Sequence, residues 1–90
     1  MALTWDEAKR QVTLSERGLD FADAGAVIDG IKFQFVDDRN DYGETRITTV
    51  GLLADRMVVV VWTRRGNDRH IISMRKANDR ERKRYQGRMD

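Results

Sequence analysis

The chain has no cysteine and only one histidine among its 90 residues. Without thiols there is no disulfide framework and no thiolate metal site, and a single imidazole leaves little with which to hold zinc. A reducing, cytoplasmic setting fits that composition. No apolar run approaches the roughly 20 residues that span a bilayer, and the opening MALTWDEAKR lacks the basic-then-apolar order of a secretory leader. Linkers, repeats and low-complexity stretches are missing as well. The chain therefore reads as one domain over residues 1–90, with a modest core made by packing helices on a sheet.

Charge is present in quantity, and it is unevenly placed. Residues 1–63 carry 7 Lys/Arg against 11 Asp/Glu, whereas residues 64–90 carry 10 against 4, so an overall charge of +2 conceals an acidic front and a basic end. A basic end of this kind is where a polyanion binds. The plain alternative is a solvated helix face, but Arg64, Arg65, Arg69, Arg75 and Lys76 continue the charge onto strands. A membrane surface is a poor partner, because the last helix has almost no apolar face to insert.

The stretch from Arg56 to Tyr85 organises the rest. Val58 to Trp62 is a β-branched run closed by an aromatic, apolar at consecutive positions and so covered on both faces, as in a central strand. A turn at Gly66-Asn67-Asp68 leads to an alternating strand, with His70, Ile72, Met74 and Lys76 on one face and Ile71, Ser73, Arg75 and Ala77 on the other. Asn78 and Glu81 then form a capping box. At the front, Thr4 and Glu7 suggest another, with Trp5, Ala8 and Val12 as the inward stripe of a helix ending at Gly18. Asp20 caps a second helix, and Ala54-Asp55 makes a hairpin turn. The expected elements are helices at 5–17, 21–29 and 79–88 and strands at 31–36, 46–53, 56–65 and 69–77. The fold class is α+β: a four-stranded antiparallel sheet with two N-terminal helices and one C-terminal helix, in the order α-α-β-β-β-β-α. The acidic segment DDRNDYGE, residues 37–44, invites a calcium reading but lacks the spacing of an EF-hand loop, and no metal site is expected.

The opening WDEAK and RGLDF, the middle DYGETR and GLL, the strand VVVVWTRRG and the closing IISMRKANDRERKRY together resemble the BrnT family (DUF497) of type II toxins, in register from Trp5 to Tyr85. The resemblance implies a RelE-like fold and a metal-independent endoribonuclease that needs no cofactor and blocks translation. It also implies a cognate ribbon-helix-helix antitoxin, BrnA-like, through which alone DNA would be reached. Trp5, Asp6 and Lys9 match the family's opening motif, and Arg65, Ser73, Arg75, Ala77, Glu81 and Tyr85 match its closing ones. There are three departures. The usual Asn-Leu-x-Lys-His-Gly reads Thr13-Leu14-Ser15-Glu16-Arg17-Gly18; the frequent Thr-Glu-Arg reads Thr63-Arg64-Arg65; and His70 stands where Arg-Ile-Ile-Ser is usual.

Metal-free RNA cleavage needs a base for the 2′-hydroxyl, cations for the charge on the phosphorane and an acid for the 5′ oxygen. Lys9, Arg65 and Arg75 are the candidate cations, although Lys9 could equally be a surface lysine lying over Trp5. Glu81, Tyr85 and His70 are the candidates for acid and base. Each has a structural competitor: Glu81 as capping-box acceptor, Tyr85 as a core ring on the stripe Ala77-Glu81-Tyr85-Met89, and His70 as a satisfied buried imidazole. Arg17, Arg64, Arg69, Lys76, Arg80, Lys83 and Arg84 are expected to bind RNA. The rival reading is a catalytically weakened module that binds RNA or the antitoxin without turnover; cleavage with substrate in excess separates the two.

Overall fold

Consecutive β-branched residues are sheltered only when both faces of a strand are covered. The strand Arg56–Arg65 meets that condition in a computed structural model of the chain, which describes residues 2–37 and 43–89. Met57 to Val60, Trp62 and Thr63 are all buried there. Counted along the chain, this strand is β4. The others are β1 (Leu3–Trp5), β2 (Lys32–Asp37), β3 (Arg46–Leu53) and β5 (Asp68–Lys76), with helices α1 (Glu7–Arg17), α2 (Ala24–Asp29) and α3 (Asp79–Tyr85) and a 3-10 turn at Phe21–Asp23. The sheet order is β1-β5-β4-β3-β2. Its four long strands pair antiparallel as expected, but β1 adds a fifth, parallel to β5, so the sheet is five-stranded and mixed.

That edge strand replaces the cap expected at Thr4. Backbone groups of residues 2–5 are taken up by β5, with the Arg69 amide donating to the Ala2 carbonyl at 2.9 Å, and are not available to begin a helix. The helix starts two residues later, where the Asp6 carboxylate accepts from the amides of Ala8 and Lys9 at 2.9 and 3.3 Å. Trp5 thus leaves the helix, and α1 turns a different stripe inward. Thr13 is buried, and Arg17 donates to the Met74 carbonyl on β5 at 3.0 Å. The expected inward residues face out: Ala8 is exposed and Val12 is 54 % exposed. A polar stripe is tolerable because it is paired. Arg10 grips both oxygens of Asp20 at 2.8 and 3.0 Å and lies over the Trp5 ring, 5.6 Å from its centre. These bonds, with one from the Ala22 amide, hold the Asp20 carboxyl at about 2.

The sheet separates two apolar clusters. Phe21, Val27 and Ile28 pack against Val58, Val60, Trp62, Ile71 and Met74 on the α1–α2 side. Val50, Met57, Val59, Ala77 and Tyr85 form the other, with Phe33 and Met89 against it. Polar atoms in the first layer are satisfied in series: the Trp62 indole donates to Thr49 at 2.9 Å, and Thr49 donates to Gln34 at 2.7 Å. Several boundaries differ from expectation, with β2 at Lys32–Asp37 and β5 at Asp68–Lys76 each displaced by one residue. Asp20 caps the 3-10 turn rather than α2, which begins at Ala24, and α3 ends at Tyr85 rather than near residue 88. The acidic segment expected at 37–44 lies largely in residues 38–42, outside the described residues.

The alternation expected along β5 is broken by a bulge. Val61 pairs with Ser73 and Trp62 with Ile71, which leaves Ile72 without a partner on β4. Ile71 and Met74 consequently share the α1–α2 face, although they are three positions apart. His70 does not share a face with Met74, as strict alternation would have it. The β4–β5 turn itself is tight, with Arg65 opposite Asp68 and Gly66 supplying the positive φ of 61° that its first position requires.

Gly51 marks the closest approach of α2 to the sheet. A Cβ there would sit 2.8 Å from a Val27 methyl and 3.1 Å from the Val27 carbonyl oxygen. Backbone cannot yield as a side chain can, so Gly51→Ala is expected to cost about 1–3 kcal/mol by overpacking. A lower denaturant midpoint with an unchanged slope checks this; an unaltered midpoint refutes it.

Candidate active site

Because β5 carries one extra residue, His70 and Arg75, five positions apart, point to the same side of the sheet. It is the side away from α1 and α2. Alternation along the neighbouring strands brings Thr48 and Val50 from β3, Val59, Val61 and Arg65 from β4, and Phe33 and Phe35 from β2 to that face. Helix α3 closes one end, and a cavity of about 320 Å³ lies between it and the strands.

At the α3 end, Arg75 and Glu81 form a two-pronged ion pair, with Nη1 and Nη2 donating at 2.7 and 2.8 Å. Glu81 also completes the capping box, accepting from the Asn78 amide at 3.0 Å while the Asn78 side chain accepts from the Glu81 amide at 2.8 Å. The Arg75 guanidinium, aided by that amide and by the charge of Arg84, holds the Glu81 carboxyl at about 2. A carboxylate so acidic takes up no proton near neutrality and makes a poor general base. The arginine is held charged by the same bond, and the nearby Tyr85 adds to that. Tyr85 is buried, its ring stacked on Phe33 at 5.1 Å and on Phe35 at 6.4 Å.

At the other end, the Nδ1 atom of His70 is 2.8 Å from the Thr4 hydroxyl, a pairing that β1 makes possible. Partial burial, then the charge of Arg65 and more weakly that of Lys9, push the imidazole below its ordinary value; Glu44 and Asp6 oppose the shift without reversing it. Arg65 is half exposed and only loosely tied, its Nη2 3.5 Å from Glu44. Lys9 is exposed in the first turn of α1. Arg65 and Lys9 thus both lie within electrostatic reach of His70. Among the described residues no three His, Asp or Glu side chains cluster as a metal would require.

The remaining predicted RNA contacts divide. Arg64 and Arg69 lie over the Trp62 ring, 5.5 and 5.6 Å from its centre, on the opposite face of the sheet, and Arg69 also bonds Asp29 at 2.9 Å. Lys76 pairs with Val58 in register and follows Met74 onto that same face. Arg17 is used on the Met74 carbonyl. Arg80, Lys83 and Arg84 are exposed on α3, and Arg84 lines the cavity. Sequence reasoning missed Thr4, whose role depends on a strand three residues long, and Phe35. The recurrence of Phe33 and Phe35 two apart was the available signal for the latter.

With one histidine in the chain, an NMR titration reads His70 without ambiguity. Its midpoint is expected below the free value of about 6.5. Arg65→Ala should raise it only part of the way, since burial is the larger cause. The sign for stability follows: the fold favours the neutral ring, so this group's contribution is complete above the free value and is lost as pH falls below it. A midpoint at or above the free value contradicts the arrangement.

Comparison with known proteins converges on one family. The family model described as the ribonuclease toxin, BrnT, of type II toxin-antitoxin systems matches residues 5–81. Among solved structures, the crystal structure of the Brucella abortus ribonuclease toxin BrnT is similar, with a TM-score of 0.65 and 28% identity over 88% of this chain and 99% of that one. No curated protein matches by sequence. The chain belongs to the BrnT family of ribonuclease toxins of type II toxin–antitoxin systems.

Proposed function

We propose that this chain is a working, metal-independent endoribonuclease that blocks translation and is restrained by a ribbon-helix-helix antitoxin. The observation that carries the reading is the common face on which the β5 bulge gathers His70, Arg65 and Arg75. A neutral imidazole near pH 7, which its lowered pKa favours, can take the proton of a 2′-hydroxyl. With the Thr4 hydroxyl accepting from Nδ1–H, the Nε2 lone pair is the base. The 2′ oxygen then attacks phosphorus, the bond to the 5′ oxygen breaks, and Lys9 supplies a proton to the departing oxygen. Arg65, at the same end as His70, balances the charge that builds on the phosphorane, and Arg75, at the α3 end of the face, holds the strand in position for attack. Glu81 is best understood as the residue that aims Arg75, and Tyr85 as a wall of the site. Arg17, in place of the family's usual histidine, donates to the Met74 carbonyl and in this reading takes no part in the proton transfers.

One observation favours the alternative of binding without turnover: the fork of Arg75 is already filled by Glu81. Two variants decide. Arg75→Lys keeps the charge and removes the fork, so it should bind RNA nearly normally yet cleave at least about tenfold more slowly, a deficit near 1.4 kcal/mol. Arg65→Ala should flatten the salt dependence of RNA binding by about 0.7 in log–log slope. Equal losses of binding and cleavage would reduce both arginines to docking residues, and wild-type protein that binds RNA without multiple turnover would sink the enzyme reading.

The antitoxin is expected to cover part of this face, with acidic or apolar segments against Arg65, Arg75 and α3. Hydrogen exchange on the complex with the neighbouring gene product measures the footprint; protection confined to the segment 37–44 goes against it.

A further inference from the structure

The cavity beside α3 has a composition that phosphate binding does not explain. Its floor is apolar, formed by Val50, Val59 and Val61 with Thr48. One wall is Phe35, the outermost of three adjoining rings: Tyr85 is buried in the second core cluster and Phe33 packs against it, whereas Phe35 is 37% exposed. Facing it are Arg75, Glu81 and Arg84, and Asp37 also lines the space. A site for phosphate alone is cationic throughout; a site for a hydrocarbon side chain needs no charged wall. Two guanidiniums and two carboxylates around an aromatic and aliphatic slot instead match a flat ring whose edge carries both hydrogen-bond donors and acceptors. Nucleobases are such rings, and unstacked RNA bases are held on aromatic side chains in this way.

We propose that this slot receives one nucleobase of the RNA substrate, stacked on Phe35 over the valine floor, with its edge towards the Arg75–Glu81 pair. The proposal rests on the ribonuclease reading and adds a positioning element to it. Seating one base at the α3 end fixes the strand's register, so that the backbone crosses the sheet towards Arg65 and His70. Glu81 has capacity for this. Its Oε2 accepts from Arg75, which leaves a further lone pair for a base N–H, while Arg75 retains N–H groups beyond the two that grip the carboxylate.

The test uses a single-stranded RNA, 2′-O-methylated throughout so that it is not consumed, with 2-aminopurine placed at each position in turn. Fluorescence quenching reports stacking of that base and anisotropy reports binding. One position is expected to be quenched by the wild-type protein. Phe35→Leu, which keeps an apolar side chain on the strand, should abolish that quenching and weaken binding about fivefold or more, and Phe35→Tyr should preserve both. Quenching that survives in Phe35→Leu, or bound RNA with no quenched position, overturns the slot. So does RNA binding indifferent to Phe35 when the antitoxin complex is weakened by the same change, which would make the slot a seat for a protein side chain. The two readings fail separately. Unmodified RNA cleaved normally by Phe35→Leu leaves the ribonuclease and removes the slot, whereas Phe35-dependent quenching without cleavage by the wild type leaves the slot and removes the ribonuclease.

Discussion

Between Val61 and Trp62 the ladder of β4 and β5 takes in one more residue on β5 than on β4, and the side-chain parity of everything beyond it is reversed. A strand alternates with period two, so His70 and Arg75 would otherwise stand on opposite faces. The extra residue resolves two demands at once. Ile71 and Met74 both reach the core beneath α1 and α2, and the polar residues flanking them both reach the open face. The apolar layer fixes the register strongly, because slipping it by one position would expose Ile71 or Met74. The geometry of the site is thus enforced by the core on the other side of the sheet.

Helix α3 depends on the same residues that it presents. Seven residues are too few to be helical alone, so it is held by its capping box, by the Tyr85 ring stacked on β2, and by the Arg75–Glu81 pair. Glu81 takes part in two of these three. Since its carboxyl is held at about 2, its contribution is complete above its free value and is lost as the pH falls towards 2. Stability of the last helix and alignment of Arg75 are therefore one property of the chain rather than two.

Much of this was legible from residues alone, and the boundary between what was and was not is physical. β3 and β4 have the limits that their apolar patterns gave, Ala54-Asp55 is the hairpin turn with both residues at positive φ, and α3 begins where Asn78 and Glu81 signal it. Each depends on neighbours in sequence. β1 does not: three residues are too short for a period to emerge, and its partner is far along the chain. The orientation of α1 was hidden because its inward stripe is polar, made by Arg10, Thr13 and Arg17, and only the pairing with Asp20 and the Met74 carbonyl makes it tolerable. The bulge had no glycine to announce it, so His70 and Arg75 could not be assigned to one face from sequence. The family itself was readable only through resemblance; composition and periodicity stop at a basic α+β domain.

The contact of Thr4 with His70 joins residues 66 positions apart, the first strand of the chain with its last. Closing so long a loop is entropically slow, and it cannot happen until both ends exist. On a ribosome, residues 2–5 are made well before their partners at 69–71 and before the helix that holds Arg75. The Thr4–His70 contact therefore forms only after β5 has been made. The face proposed for catalysis is thus complete only once β1 has docked on β5 and α3 has closed beside Arg75.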